Sequence, residues 1–153
     1  MTRKEQAIAY FKEGYNCAQS VFLTFCDLTG FDQKTALRLA APFGGGVGRQ
    51  REICGAVSGM CLVAGALYGY ENTADKDAKA AHYETIQALC AEFRARAGGS
   101  IICRDLLGGE GKDTAHTPSE RTEAYYKKRP CAELVGEAAD ILEKWIKAHP
   151  FSK

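Results

Sequence analysis

Seven cysteines punctuate this chain, and they fall into two groups by position. Cys17, Cys54, Cys103 and Cys131 each lie in or beside the first turn of an expected helix, whereas Cys26, Cys61 and Cys90 lie deeper, among apolar neighbours. The distinction is chemical. A helix start carries free N–H donors and a partial positive charge, so it favours a thiolate, while an apolar mid-helix position favours the inert thiol. Basic residues stand beside three of the first group: Arg49 and Arg51 before Cys54, Arg104 after Cys103, and Lys127, Lys128 and Arg129 before Cys131. Four helix starts pointing at one place would make a pocket for reactive thiolates, a metal–sulfur centre or another anion. Cys26, Cys61 and Cys90 read as small packed hydrophobes. No two cysteines form a CxxC pair, which argues against a zinc knuckle, a thioredoxin-like dithiol and a haem attachment site.

The stretch around Cys54 organises the rest. Gly44, Gly45, Gly46 and Gly48 make a loop whose backbone can take angles closed to other residues and let another group approach closely. With Arg49 and Arg51 it forms the candidate binding segment, best read as backbone closing on Cys54 or its cluster. A phosphate cradle is the lesser reading, since the Walker ending and GxGxxG are both missing. Residues 53–70 carry no charged side chain, but four glycines and a serine dilute their apolar character, so the expectation is a buried central helix rather than a membrane span. Gly55/Gly59 and Gly65/Gly69 are small-residue pairs suited to tight packing, within one chain or across a homodimer.

The remaining elements read as helices. Thr2 with Glu5 and Asn16 with Gln19 form capping boxes, and Gly14 and Gly30 stop the helices they open. Asp32 caps a short helix before Pro42, and residues 75–96 form a longer amphipathic one. Ser100 caps a short helix carrying Cys103. Residues 108–117 are expected to be a mobile loop, Thr117-Pro118-Ser119-Glu120 a further helix start, and the residues after Pro130 a last helix. His82 is expected to pack rather than ligate, and His149 to sit at a helix end. The fold class is all-α: residues 1–153 as one helical-bundle domain around a buried glycine-rich central helix.

A chain of 153 residues with a net charge of +1 gives no sign of a nucleic-acid surface. The acidic and polar start, without an apolar leader, points to the cytoplasm, where clustered cysteines mean metal or redox chemistry.

Asn16-Cys17-Ala18-Gln19, the run from Phe43-Gly44-Gly45-Gly46 to Cys54-Gly55-Ala56-Val57-Ser58-Gly59, Cys103-Arg104-Asp105-Leu106-Leu107 and the late Cys131 together resemble the redox-active C_GCAxxG_C_C family. The likeness runs from about Tyr15 to the final helix, although this chain reads Cys-Gly-Ala where the family's label has Gly-Cys-Ala. The resemblance implies a four-cysteine redox or metal site. The chain is also similar to the iron–sulfur part of split-Soret cytochromes, without their haem-binding part, and this implies an iron–sulfur cluster or another thiolate-bound metal. The expectation is therefore a redox protein whose Cys17, Cys54, Cys103 and Cys131 ligate a metal or iron–sulfur centre and serve an unknown redox partner. Metal-free thiol–disulfide exchange, with Cys54 attacking, is the first alternative. A non-catalytic helical assembly module is the second, and a sensor or chaperone for soft metals the third.

Overall fold

Side-chain caps set most of the helix starts. In the computed structural model, which describes residues 1–152, the Thr2 and Asn16 hydroxyl and amide oxygens accept from Glu5 and Gln19 N–H, and both capping boxes close reciprocally. Helix α1 spans Arg3–Lys12 and α2 spans Cys17–Thr24. A break at Phe25 separates α2 from the single turn α3 (Cys26–Thr29), which Gly30 ends in the left-handed region. Asp32 caps α4 (Gln33–Ala40), as expected. The central helix α5 covers Gly55–Tyr68, and Asp75 caps α6 (Lys76–Arg96). Three more follow: α7 (Cys103–Leu107), α8 (Glu123–Lys128) and α9 (Cys131–Ala148). Among the described residues there is no strand, only one isolated bridge between Ile53 and Ile102. The all-α expectation holds. Lys153, the last residue of the expected domain, lies outside the described residues.

The core is assembled mainly by α1, α2, α5, α6 and α9. Phe11, Phe22, Phe25, Phe93, Met60, Leu89 and Leu142 are its largest fully buried side chains. The first glycine pair of α5 explains how closely α2 approaches. A Cβ on Gly59 would lie 2.8 Å from the Ala18 carbonyl oxygen, and one on Gly55 would lie 2.9 Å from Cys17 Cβ. Gly65 meets nothing within 4 Å. No helix is long and apolar enough to cross a membrane among the described residues. His82 packs edge-on to Tyr70, and His149 stacks on Trp145 at the end of α9.

Three local expectations are corrected. The central helix starts at Gly55 rather than at the head of the uncharged run 53–70, because residues 51–54 are paired with residues 101–104: Cys54 N–H donates to Ile101 O at 2.8 Å and Cys103 N–H to Glu52 O at 2.6 Å. Ile102, not Ser100, precedes α7, and the Ser100 hydroxyl accepts from Ile102 N–H instead. The helix expected at Thr117-Pro118-Ser119-Glu120 begins only at Glu123, capped by Thr122. The intervening backbone is held by Arg49, which donates to the carbonyls of Ala115 and Thr117.

Candidate four-cysteine site

Each of the four cysteines arrives on a helix start. Cys17, Cys103 and Cys131 are the first residues of α2, α7 and α9, and Cys54 caps α5. All four line one cavity of about 290 Å³, together with Gly44, Gly45, Gly46, Gly48, Arg49 and Arg51. The antiparallel contact of residues 51–54 with residues 101–104 sets Cys54 beside Cys103. The close passage of α2 over Gly55 sets Cys17 beside Cys54.

The glycine loop closes the floor of this cavity. Gly45, Gly46, Val47, Gly48, Arg49 and Arg51 all have positive φ, between 58° and 73°. Gly46 has no room for a side chain, since a Cβ there would lie 2.8 Å from Cys103 Cβ and 2.6 Å from the Glu52 nitrogen. Gly44 lies equally close to the Asn16 side chain that caps α2. The loop thus packs backbone directly against the residues that carry Cys17 and Cys103.

The two arginines of this loop turn in different directions. Arg49 reaches away to residues 113–119, donating to Ala115 O and Thr117 O, to the Ser119 hydroxyl at 3.0 Å, and pairing with Asp113 at 3.3 Å. Residues 113–117 of the segment expected to be mobile, with Pro118 and Ser119 after them, are therefore strapped beside the cavity. Arg51 is only 2 % exposed. Its Nη1 faces the Cys103 sulfur at 3.8 Å and its Nε donates to Asp113 O at 2.9 Å, while its Nη2 is buried with no hydrogen-bond partner.

Two further guanidiniums, Arg121 and Arg129, line the same cavity. Arg121 is fixed by the carbonyls of Phe11 and Tyr15 and lies 4.0 Å above the Phe11 ring. Arg129 lies 4.7 Å from the Tyr125 ring centre and 3.5 Å from Glu110. Arg121 carried no signal in the sequence, because its place depends on long-range contacts with α1 and the turn after it.

The thiols differ in their readiness to ionise. Cys17 donates a hydrogen bond to the Cys131 sulfur, which holds the Cys131 thiol below its ordinary range, helped by Arg129, Arg121 and Arg51. The same bond, and then burial, push Cys17 well up. Burial raises Cys54 to about 12, against the pull of the Ala56 and Val57 N–H groups. Burial also raises Cys103, with the Arg51 contact pulling the other way. Cys131 is thus the favoured anion of the set. Among the described residues no three Cys, His, Asp or Glu side chains converge tightly enough to hold a metal ion.

An all-α protein that gathers four thiols from separate helix starts around one arginine-lined cavity defines a class of four-cysteine helical proteins. The chain belongs to the family described as "Putative redox-active protein (C_GCAxxG_C_C)", whose model matches residues 15–145. No curated protein and no solved structure matches it.

Proposed function

We propose that Cys17, Cys54, Cys103 and Cys131 ligate an iron–sulfur cluster, or another thiolate-bound metal centre, for electron transfer or redox sensing. The observation that carries this reading is Arg51. Its guanidinium is buried, one nitrogen has no partner, and the groups it does meet are a carbonyl and a sulfur rather than a carboxylate. A buried charge left without compensation costs roughly 3–5 kcal/mol. In the metal-free pocket only Cys131 is favoured as an anion. Metal binding deprotonates its thiol ligands, and so would bring negative charge beside Arg51, Arg121 and Arg129.

The donor set fits a cluster. The four ligands of a [4Fe–4S] cluster sit on separate irons, and those of a [2Fe–2S] cluster on two, so they need not meet at the single point that one ion demands. When bound, such a group supplies one-electron chemistry. The chain's own part is to present four thiolates at helix starts, to direct N–H groups at the sulfurs, and to raise the potential through nearby arginines. The reading includes a redox partner and a cytoplasmic setting, where the seven free thiols would stay reduced. A homodimer across the open face at Gly65 belongs to the same proposal, and sedimentation of the purified chain tests it.

Metal-free exchange is the second reading, favoured by the Cys17–Cys131 contact. Cys131, rather than Cys54, would then attack one sulfur of an external disulfide and expel the other as a thiolate. Cys17 would lose its proton and attack the Cys131 sulfur, expelling the second thiolate and leaving a Cys17–Cys131 disulfide.

Anaerobic purification and reconstitution with iron and sulfide, followed by visible spectra and metal analysis, separate the two. The cluster reading expects a coloured protein with bound iron, lost when the four cysteines become serine. A colourless, metal-free protein whose Cys17 and Cys131 close reversibly establishes exchange instead. If the serine variant keeps the redox behaviour of the parent, neither reading stands and the helical assembly module remains.

A further inference from the structure

The cavity that the four thiols share has a wall of one sign. Arg49, Arg51, Arg121 and Arg129 line it, and among the described residues no aspartate or glutamate does. The carboxylates that two of these arginines meet lie outside the wall. Asp113 pairs with Arg49 at 3.3 Å and Glu110 stands 3.5 Å from Arg129, with side-chain exposures of 55 % and 40 %. Arg51 and Arg121 are held instead by main-chain carbonyls, of Asp113 for the first and of Phe11 and Tyr15 for the second. Two guanidinium nitrogens, Arg51 Nη2 and Arg129 Nε, are buried without a hydrogen-bond partner. Lys127 and Lys128, the other basic residues just before Cys131, are exposed and form no part of the wall.

We propose that this wall is a binding site for a small oxyanion of the phosphate or sulfate type, which enters the cavity of the metal-free chain beside the four sulfurs. Like charges around a space poor in water repel one another more strongly than they would in bulk solvent, because the local dielectric is low. An anion inside that space is attracted by all of them at once. Oxygen acceptors suit the wall better than a halide does, since a guanidinium fork matches a pair of oxygens. The volume of about 290 Å³ falls just below the roughly 300–1,000 Å³ of sites for drug-sized ligands, which selects a compact anion over a nucleotide. The anion shares the cavity with Cys17, Cys54, Cys103 and Cys131, so it also screens these thiols from reagents. The site is a property of the metal-free chain and holds on either reading of the thiols.

Equilibrium dialysis of the reduced, metal-free chain against radiolabelled phosphate tests this, with potassium chloride holding the ionic strength constant. The expected result is saturable binding of a single phosphate per chain, displaced by sulfate and not by chloride. Iodoacetamide, which is uncharged, then locates the anion. At about ten times the half-saturating phosphate concentration the cavity cysteines should react roughly tenfold more slowly, whereas Cys26, outside the cavity, keeps its rate. Arg51→Gln and Arg129→Gln should each weaken phosphate binding roughly tenfold or more, and Lys127→Gln should leave it unchanged. Phosphate binding that is absent, that chloride suppresses as well as sulfate does, or that leaves the cavity thiols at their original rate overturns the proposal. Dialysis and alkylation of the parent chain decide the matter even if Arg51→Gln fails to fold. Neither measurement involves iron, so failure of this site and failure of the cluster reading are told apart.

Discussion

The four thiols of the pocket are chemically unequal, and the inequality comes from single contacts. Cys131 accepts from Cys17 and stands near three guanidiniums, whereas Cys54 is sealed in the core. Iodoacetamide should therefore modify Cys131 first and Cys54 last in metal-free protein near pH 8, as peptide mapping would show, and Arg129→Gln should slow the Cys131 reaction. Cys54 also predicts a pH dependence. Its ordinary value of 9.0 rises to about 12 in the folded chain, so between these limits the folded state keeps a proton that the unfolded state releases. Stability is then full below about pH 9 and falls as pH rises towards about 12, by up to about 4 kcal/mol. Cys131 acts with the opposite sign, since its depressed value lends stability that is lost as pH falls through it. Urea unfolding of metal-free protein between pH 8 and 12 should show the decline, and Cys54→Ser should lessen it, leaving the part that the raised Cys17 and Cys103 thiols contribute. The sequence, with Arg49 and Arg51 both close to Cys54, suggested that Cys54 was the activated thiol. Residue spacing could not show that the left-handed backbone at both positions sends one side chain to residues 113–119 and the other to Cys103.

Among the elements, α5 decides the geometry of the site because α2 and the glycine loop both lean on its first two turns. Gly59 and Gly65 make a matched pair for testing this. In Gly59→Ala the added carbon meets the Ala18 carbonyl at 2.8 Å and Val21 Cβ at 3.0 Å, which should push α2 away and cost about 1–3 kcal/mol in urea unfolding. Iron bound after reconstitution should fall with it, since Cys17 moves with α2. In Gly65→Ala the carbon meets nothing, and the gain in helix propensity should raise stability by roughly 0.5–1 kcal/mol. Helix starts fixed by neighbours three residues away, at Thr2, Asn16, Asp32 and Asp75, were legible in the sequence because capping is local. The start at Glu123 was not, since Arg49 binds the preceding backbone from more than sixty positions away. The Ile53–Ile102 bridge was hidden for the same reason.

At the scale of the whole molecule, the pocket is walled by segments from both halves of the chain. The strap formed by residues 113–119 depends on Arg49, which supplies hydrogen bonds to two carbonyls and one hydroxyl as well as an ion pair. Arg49→Ala should free this segment, raising the rate of tryptic cleavage at Lys112 roughly tenfold while the unfolding midpoint changes little. That four cysteines would share one place was suggested by their helix-start positions and by the order of the family's motifs. The arginine lining was only partly visible: Arg49, Arg51 and Arg129 stand beside cysteines in the sequence, whereas Arg121 joins through its contacts with α1 and Tyr15. The packing of α1 against α9 closes the bundle and brings Cys17 to Cys131. At roughly 5–20 residues per second, a ribosome takes roughly 6–23 s to pass from Cys17 to Cys131. Throughout that interval the sulfurs already made still lack their last companion. On the cluster reading proposed above, loading would be deferred until translation has passed the last cysteine, and the nascent polypeptide would depend on its surroundings to shield those sulfurs from air in the meantime.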